Sequence, residues 1–183
     1  VNMIYVFLAE GFEENEAITS SDVMMRGGLD VKFVSVTGNK TVRGTHGIDI
    51  IANELFEDVD FKDAQALVLP GGMPGTSNLW EHEGLVKLLK KSNEAGKHIA
   101  AICAAPMVLG KNGILEGKKA VCYPGCEGEL KGADVQDVTV ITDGNITTSQ
   151  GPATATDFGL ELVKIFVGKE KADEVASDFL YKR

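Results

Sequence analysis

The stretch HIAAICAAPMVLG, from His98 to Gly110, begins with the apolar pattern of a buried strand and ends with the pattern of a helix. Cys103 stands at the junction, with small alanine residues on both sides. Hydrolases place a nucleophilic serine on a sharp strand-to-helix turn of this kind, where small neighbours relieve crowding. The stretch therefore predicts a nucleophile elbow that lifts the thiol of Cys103 out of a sheet.

The rest of the chain alternates in the same way between strand-like and helix-like segments. Strands are predicted at Met3–Ala9, Val31–Thr37 and Ala64–Gly72, in KKAVCYP (118–124), and in VTVIT (138–142) and ITTSQ (146–150) around the turn Asp143-Gly144-Asn145. Helices are predicted at Glu13–Gly28, His82–Ala95, Cys103–Lys111, Lys169–Tyr181 and, after Gly151-Pro152, from Ala153 to about Val167. A short hairpin is predicted in TVRGTHGIDIIAN (41–53), which carries two glycines.

This alternation decides the fold class. Strands that alternate with helices predict a mostly parallel sheet that is covered on both faces. The length of 183 residues suits one compact domain, and the chain has no repeat, low-complexity segment or linker. We therefore predict a single three-layer α/β domain over residues 1–183, with small hairpins attached.

The composition excludes several classes of partner. The formal net charge of −9 argues against binding to nucleic acid or to anionic membranes. No apolar run approaches the roughly 20 residues that cross a bilayer, and the first residues lack the basic region of a signal peptide. Three cysteines, a low and odd number, fit a reducing cytoplasm better than a disulfide scaffold.

Two readings of Cys103 remain open from its own neighbourhood. A helix N-terminus beside it would favour a thiolate, whereas a small cysteine is also a common core residue. Glycines in Gly71–Gly75 allow a backbone amide to approach a ligand closely. The amides of Gly72 and Ala104 could therefore form an oxyanion hole near Cys103, although a plain turn after the strand would have the same sequence.

Three glutamates follow the first predicted strand. Glu13 and Glu14 are expected to complement the helix dipole. Glu16 lies one turn deeper, where it can face the same edge of the sheet as Cys103. Burial would raise the pKa of its carboxyl group, and the protonated group could hydrogen-bond the sulfur or act as a general acid.

Taken together, these segments resemble the ThiJ/PfpI superfamily, in particular the branch of ThiJ-like proteins and the parkinsonism-associated deglycase. The resemblance covers nearly the whole chain and rests on four motifs in the right order: AEGFEENEAI with DVMMRGG, LVLPGG, AAICAAP, and TTSQGPATATDFGLELV. It implies a flavodoxin-like α/β sandwich that forms a homodimer and needs no cofactor.

The resemblance also implies a role for individual residues. Cys103 would be the nucleophile and Glu16 the acid that hydrogen-bonds its sulfur. The turn at Gly71 and Gly72, together with Ala104, would provide the oxyanion and substrate-binding pocket. Arg26 would lie near the dimer contact.

Several residues depart from the family pattern. Ala104 stands where the protease branch has histidine, and Ala105 stands where glycine is frequent. Tyr123, which we assign to the substrate pocket, replaces a histidine and is a poor base at neutral pH. Gln150 replaces an arginine that could neutralise an anionic ligand.

We therefore expect a cysteine-dependent enzyme that acts on small reactive carbonyls by glyoxalase- or deglycase-type chemistry and protects against stress. One alternative is a redox-sensing or chaperone-like stress protein with an oxidisable Cys103. Another is a cysteine peptidase or amidase, which the missing Cys-His pair disfavours. His46, His82 and His98 lie outside any ligand cluster in the sequence, so we predict no metal. Cys122 and Cys126 are expected to be packing or surface thiols.

Overall fold

The computed structural model describes residues 2–182 and consists of strands that alternate with helices. The strands are β1 (Met3–Leu8), β2 (Asp30–Ser35), β3 (Thr41–Arg43), β4 (Asp49–Ile51), β5 (Glu54–Leu55), β6 (Ala64–Leu69), β7 (His98–Ile102), β8 (Lys119–Ala120), β9 (Asp134–Val135), β10 (Val140–Asp143) and β11 (Ile146–Ser149). The helices are α1 (Glu14–Arg26), α2 (Gly75–Trp80), α3 (Glu83–Glu94), α4 (Pro106–Lys111), α5 (Ala155–Phe166) and α6 (Lys169–Asp178). Short 3₁₀ turns lie at Phe56–Asp58, Glu127–Glu129 and Pro152–Thr154.

Seven of the strands form the central sheet, in the order β10-β11-β7-β6-β1-β2-β5. All neighbours pair in parallel except β10 and β11, which form an antiparallel hairpin. The five central parallel strands therefore follow the flavodoxin-like order. In this order β2 is added on one side of β1, and β6, β7 and β11 are added on the other side, so the switch point lies between β1 and β6. Ligands gather at the carboxyl ends of the strands beside such a switch point. The predicted flavodoxin-like α/β fold is confirmed.

The core lies on both faces of this sheet, because successive side chains of each strand point to opposite sides. Ile4, Val6 and Leu8 of β1 pack with residues of α1 and α5, whereas Tyr5 and Phe7 pack with residues of α2, α3 and α4. Every one of these five side chains is at most 4% exposed. Burial of each apolar side chain stabilises the fold by about 1.5–3 kcal/mol. Both helical layers are therefore needed to shield the two faces of the sheet from water.

Helix α1 begins at a residue that caps it. Glu13 accepts a hydrogen bond from the backbone N–H of Glu16 at 2.6 Å, which satisfies one of the free donors at the start of the helix. The helix ends before Gly27, where an added Cβ would lie 2.6 Å from the side chain of Val163 on α5. The close packing of α1 on α5 therefore requires glycine at this position.

The structure differs from the sequence prediction mainly in the segments around the site. The KKAVCYP stretch forms only the two-residue strand β8, which pairs with β9 outside the central sheet. The next backbone N–H, that of Val121, donates to the side-chain oxygen Oγ1 of Thr148 on β11 and not to a backbone carbonyl. The turn after β6 continues into α2, which the sequence did not predict because it begins among glycine and proline. Of the helices in residues 2–182, none is both long enough and apolar enough to cross a membrane.

Candidate functional site

Cys103 lies on a tight turn between β7 and α4, at the carboxyl edge of the sheet. Its φ of 68° is in the left-handed region, which non-glycine residues seldom adopt. Two backbone hydrogen bonds hold this conformation: the N–H of Cys103 donates to Ser149 O at 3.0 Å, and its carbonyl accepts from the N–H of Tyr123 at 2.8 Å. The turn therefore fixes the thiol between the end of β11 and the segment that follows β8.

Glu16 reaches the same edge from the first turn of α1. It is fully buried, and its Oε1 accepts a hydrogen bond from the N–H of Gly71 at 2.9 Å. A Cβ on Gly71 would lie 2.7 Å from Cys103 Cβ and 2.7 Å from Glu16 Oε1. Only glycine leaves room for the carboxyl group and the thiol to meet. The structure therefore brings together Glu16, Gly71 and Cys103, as the sequence predicted.

Burial controls the protonation of this pair. It raises the pKa of Glu16 to about 7, although a hydrogen bond with Cys103 acts in the opposite direction. Burial also raises the pKa of the Cys103 thiol, and the charge of Glu16 raises it further. The second carboxyl oxygen, Oε2, is buried, and no N–H or O–H group of residues 2–182 donates to it.

Of the two readings of Cys103, the one in which the helix N-terminus lowers the pKa of the thiol therefore has the wrong sign. The helix that follows Cys103 has only six residues, and 8% of the cysteine is exposed, so desolvation outweighs any dipole effect. Two coupled groups in contact titrate as a pair. A thiolate at Cys103 therefore requires a protonated Glu16, because two adjacent buried negative charges repel each other.

Two backbone N–H groups oppose the increase in the pKa of the Cys103 thiol. Those of Ala104 and Gly72 interact with the sulfur and lower its pKa. Gly72 has a φ of +88°, and a Cβ there would lie 2.6 Å from the backbone nitrogen of Glu13. The position therefore requires glycine, which brings the amide close to the sulfur. The amides predicted to form an oxyanion pocket thus converge on Cys103.

Tyr123 lies on the other side of the turn and is 49% exposed. Its ring forms one wall of a shallow crevice of about 200 Å³ at the carboxyl end of β11. The crevice is lined by residues of two short segments: Tyr123, Pro124, Gln150, Gly151, Pro152, Ala153 and Thr154. The sequence singled out Tyr123 and Gln150 separately, and only the fold shows that they belong to one surface.

A second polar group lies at the start of α1. Glu14 is buried and accepts hydrogen bonds from the backbone N–H of His46 at 2.6 Å and from its Nδ1 at 2.7 Å. Burial acts to raise the pKa of Glu14, but the hydrogen bonds with His46 lower it overall. The pKa of His46 is raised by the same contact. This pair fastens the tip of the β3–β4 hairpin to α1.

Glu13 joins this pair, with its Oε1 3.9 Å from His46 Nδ1. The ligand atoms of Glu13, Glu14 and His46 lie within 4.8 Å of one another, close enough to surround a metal ion. The expectation that no histidine belongs to such a cluster is therefore wrong, because the hairpin folds back on α1 over a long range in sequence. The hydrogen bonds between His46 and Glu14 account for the arrangement without an ion.

The remaining predicted residues lie elsewhere. Arg26, at the end of α1, bonds to Asp22 at 3.1 Å and lies over the ring of Phe179 at 5.3 Å. Its role at a dimer contact stays a prediction. Cys122 is buried in the hydrophobic cluster on the opposite face of the sheet from Cys103, and Cys126 packs at its edge. Burial raises the pKa of Cys122 to about 12, as expected of a packing thiol.

The chain is similar to proteins of a known family. A model of the DJ-1/PfpI family matches residues 2–165. Protein DJ-1 homolog B of Arabidopsis thaliana is 39% identical over 181 residues, which cover 98% of this chain and 41% of that protein. The chain thus spans less than half of this relative's length. Glutathione-independent glyoxalase DJR-1.2 of Caenorhabditis elegans is 33% identical over 168 residues, covering 91% of this chain and 89% of that protein.

The fold has close counterparts among solved structures. The structure of oxidized Toxoplasma gondii DJ-1 superposes with a TM-score of 0.95 and 34% identity, and each chain is covered over its full length. A likeness of this extent includes the strands β1, β6 and β7, whose carboxyl ends carry the site.

Proposed function

The chain belongs to the DJ-1/PfpI family, and from that premise we propose that it is a cofactor-independent enzyme that converts small reactive carbonyls with Cys103 as nucleophile. The contact between Cys103 and Glu16 carries the proposal, because it places a sulfur nucleophile beside a carboxyl group whose pKa is raised to about 7. A general acid or base works best when its pKa lies near the working pH. The glyoxalase named among the relatives supports the same class of substrate.

The first step is attack on an aldehyde. When the thiol passes its proton to Glu16, the sulfur adds to the aldehyde carbon of a 2-oxoaldehyde such as methylglyoxal. The carbon–sulfur bond forms, and the electrons of the C=O double bond move to oxygen. The N–H groups of Gly72 and Ala104 stabilise this oxyanion, and Glu16 returns the proton to give a hemithioacetal.

The second step moves hydrogen between two carbons. The Glu16 carboxylate removes the proton from the former aldehyde carbon, and the electron pair left behind gives an enediolate with the neighbouring carbonyl. Reprotonation at that neighbour gives a 2-hydroxy thioester. Water then hydrolyses the thioester, releasing the 2-hydroxy acid and the thiol. One carbon is oxidised and its neighbour is reduced, so the net reaction consumes only water.

The same steps extend to deglycase-type chemistry. An early adduct of a 2-oxoaldehyde with an amine or a thiol carries the hydroxyl-bearing carbon beside a carbonyl group. Attack by Cys103 on that carbon would release the amine or thiol and lead to the same 2-hydroxy acid. Removal of such adducts would be a role in stress protection.

The test compares cysteine variants for conversion of methylglyoxal to lactate, followed by NMR. We expect Cys103→Ala to lower kcat/KM by about 100-fold or more, since the covalent route is lost. Cys126→Ser, which changes a partly exposed thiol away from the turn, is the matched control and should keep near wild-type activity. Full activity of Cys103→Ala would end the proposal.

A redox-sensing or chaperone-like stress protein is the second candidate, and the same contact favours it. Two equivalents of peroxide would each transfer one oxygen to the Cys103 sulfur and leave as water, giving a sulfinic acid. Glu16, when protonated, could hydrogen-bond the new oxygen. Mass spectrometry after mild peroxide should find two added oxygens on Cys103 before Cys122 or Cys126 reacts. Equal oxidation of the three thiols would contradict this candidate.

The peptidase alternative gains no support from the geometry. The rings of the three histidines bond elsewhere: His46 to Glu14, His82 to the N–H of Leu85, and His98 to Thr147. None of these bonds aligns an imidazole with Cys103, and Ala104 occupies the position that carries histidine in the protease branch. A cysteine peptidase needs such a base beside its thiol.

A homodimer is also part of the proposal. Four large apolar side chains on α1 and the β3–β4 hairpin are exposed by 46–74%: Ile18, Met25, Ile48 and Ile51. The hairpin tip is fastened to α1 by Glu14 and His46, so these side chains belong to neighbouring elements. Large apolar side chains exposed on neighbouring elements favour association.

A further inference from the structure

A pocket of about 250 Å³ lies at the edge of the sheet opposite to Cys103. One wall comes from the second half of α3 and from Ala95, which follows this helix. The other wall comes from residues just before β6 and β7, which begin at Ala64 and His98. Because β6 and β7 are parallel and the Cys103 turn follows the carboxyl end of β7, the amino ends of both strands lie at the opposite edge. The pocket is therefore separate from the site described above.

Part of the pocket lining is apolar and rigid. It includes Phe61, Leu88 and Ala95. Phe61 is 5% exposed, and its ring packs against those of Tyr5 at 5.0 Å and Phe56 at 5.2 Å. Its φ of 59° lies in the left-handed region, which bulky residues seldom adopt, so the surrounding packing has to hold it. This part of the lining is therefore ordered before a ligand arrives, which favours binding.

Three lysines give the same pocket a positive charge. Lys62, Lys91 and Lys97 line it, in a protein whose formal net charge is −9, and we call it the lysine pocket. Asp60 is the one acidic residue of the lining, and its carboxylate lies 3.8 Å from Nζ of Lys62. Within residues 2–182, neither Lys91 nor Lys97 forms an ion pair, and Nζ of Lys97 donates to the carbonyl of Phe61 at 3.4 Å. Two positive charges of the lining are thus left for a ligand.

The dipole of α3 accounts for only part of this arrangement. Lysines near the end of a helix complement its partial negative charge, which explains Lys91 in the last turn. Lys62 belongs to another segment, before β6, and lines the same pocket. Few polar groups that converge from separate segments on an apolar lining are typical of a site for a small molecule.

The lining fits a ligand that is both apolar and anionic. A neutral apolar molecule would cover ammonium groups without giving them a partner, which costs free energy. A small inorganic anion would pair with the lysines but leave the apolar lining in contact with water. A carboxylate with an apolar body satisfies both parts, and the hydroxyl group of Ser92, which also lines the pocket, can donate to it. Since a cavity of about 150 Å³ takes up benzene, the lysine pocket has room for a ring and a carboxylate.

From these observations we infer that the lysine pocket binds a small free carboxylic acid with an apolar body. The apolar body lies against Phe61, Leu88 and Ala95, and the carboxylate pairs with Lys91 and Lys97. The inference goes beyond the proposed function, because no residue of the Cys103 site takes part in it.

The test measures the binding of 3-phenylpropionate by NMR. We expect this acid to shift the amide signals of Ala95 and Lys97, whose N–H groups donate to Lys91 O and Ser92 O in the pocket wall. Acetate has the charge without the ring, and 3-phenylpropionamide has the ring without the charge. Both should bind at least about tenfold more weakly than 3-phenylpropionate, because each loses one of the two interactions.

Two variants locate the binding in the lysine pocket. Lys91→Gln together with Lys97→Gln should raise the Kd of 3-phenylpropionate by about tenfold or more, because both free cations are lost. The matched control is Lys87→Gln together with Lys90→Gln, which removes the same charge from exposed positions of α3 outside the lining. Ala95→Leu keeps the charges and fills the space, and it should weaken binding to a similar extent. Ala95 is exposed, so this variant should fold as the wild type does.

Three results would overturn the inference. The first is that 3-phenylpropionate leaves the Ala95 and Lys97 signals unmoved. The second is equal binding of the acid and its amide, which would show that the lysines do not recognise the carboxylate. The third is an equal increase in Kd for the two pairs of lysine variants, which would reduce the effect to general charge attraction.

Discussion

Glu16, in the first turn of α1, contacts Cys103, at the end of β7, and burial raises the pKa of both groups. The contact is possible because β1, β6 and β7 are neighbours in the sheet and end at the same edge. β1 leads into the helix with the carboxyl group, β6 leads into Gly71, and β7 leads into the thiol.

Replacing Glu16 by glutamine should abolish proton transfer while the nucleophile stays in place. We expect Glu16→Gln to lower kcat/KM for methylglyoxal by about 100-fold or more, the usual contribution of a general acid–base group. Glu13→Gln is the matched control, because it removes one charge from the same helix start and keeps an oxygen that can cap Glu16 N–H. Iodoacetamide labelling should still modify Cys103 in both variants. Similar activities of the two variants would contradict the role of Glu16.

The same substitution should change how stability depends on pH. The folded-state pKa of Glu16 is raised from 4.5 to about 7, so its contribution to stability is full below pH 4.5 and is lost as the pH rises through 7. Glutamine does not titrate. The free energy of unfolding of Glu16→Gln, relative to the wild type, should therefore increase by about 3 kcal/mol from low pH to pH 8. Urea unfolding at pH 4.5, 6 and 8 measures the difference, and a flat difference would show that Glu16 is not buried as described.

His98 should change the pH dependence of stability in the opposite direction to Glu16, so that stability is lost on acidification. Burial lowers its pKa from 6.5 to about 4, and its Nε2 lies 2.7 Å from Thr147 Oγ1. Its contribution to stability is present above pH 6.5 and is lost as the pH falls through 4. We expect the wild type to lose about 3 kcal/mol over that range from this residue, and His98→Gln to lose less.

Urea unfolding of the wild type and of His98→Gln at pH 7 and pH 4 measures this loss, and the variant should reduce it. An equal loss in His98→Gln and the wild type would assign the acid sensitivity to other groups.

A methyl group at Gly71 should disrupt the site directly. A Cβ there would lie 2.7 Å from Cys103 Cβ and 2.8 Å from Ile102 O, and the backbone cannot yield cheaply. We expect Gly71→Ala to lower the free energy of unfolding by about 1–3 kcal/mol and to slow the reaction. Gly128→Ala is the control, because a Cβ at Gly128 has no atom within 4 Å. Thermal unfolding followed by circular dichroism should leave the control within about 0.5 kcal/mol of the wild type, and equal losses in both variants would refute the crowding.

The proposed dimer can be tested on the exposed apolar side chains. We expect Met25→Lys together with Ile51→Lys to shift the mass in sedimentation equilibrium from dimer to monomer, because a buried lysine charge opposes association. Val167→Lys changes an apolar residue that is about as exposed as Met25 and follows α5, and it should leave the mass unchanged. A wild-type protein that sediments as a monomer would remove both the dimer and the predicted role of Arg26.

The sheet and the turn at Cys103 were predictable because both depend on local sequence patterns: apolar runs, helical spacing and glycine turns. The contact of Glu16 with Cys103 followed from the resemblance and from the rule that parallel strands end at one edge. The sign of the Cys103 pKa shift did not follow, because it depends on how completely three separate segments exclude water. The pairing of Glu14 with His46 could not be predicted from the sequence either, because it joins a helix to a hairpin 32 residues further along the chain.

The left-handed backbone of Cys103 carries a cost that no other part of the site shares. A side chain in that conformation loses about 1–2 kcal/mol, and glycine would recover most of it. Cys103→Gly would therefore relieve the backbone and remove the thiol in the same step. Substitutions that raise the stability of the protein and keep this thiol have to act elsewhere, for example in the two helical layers.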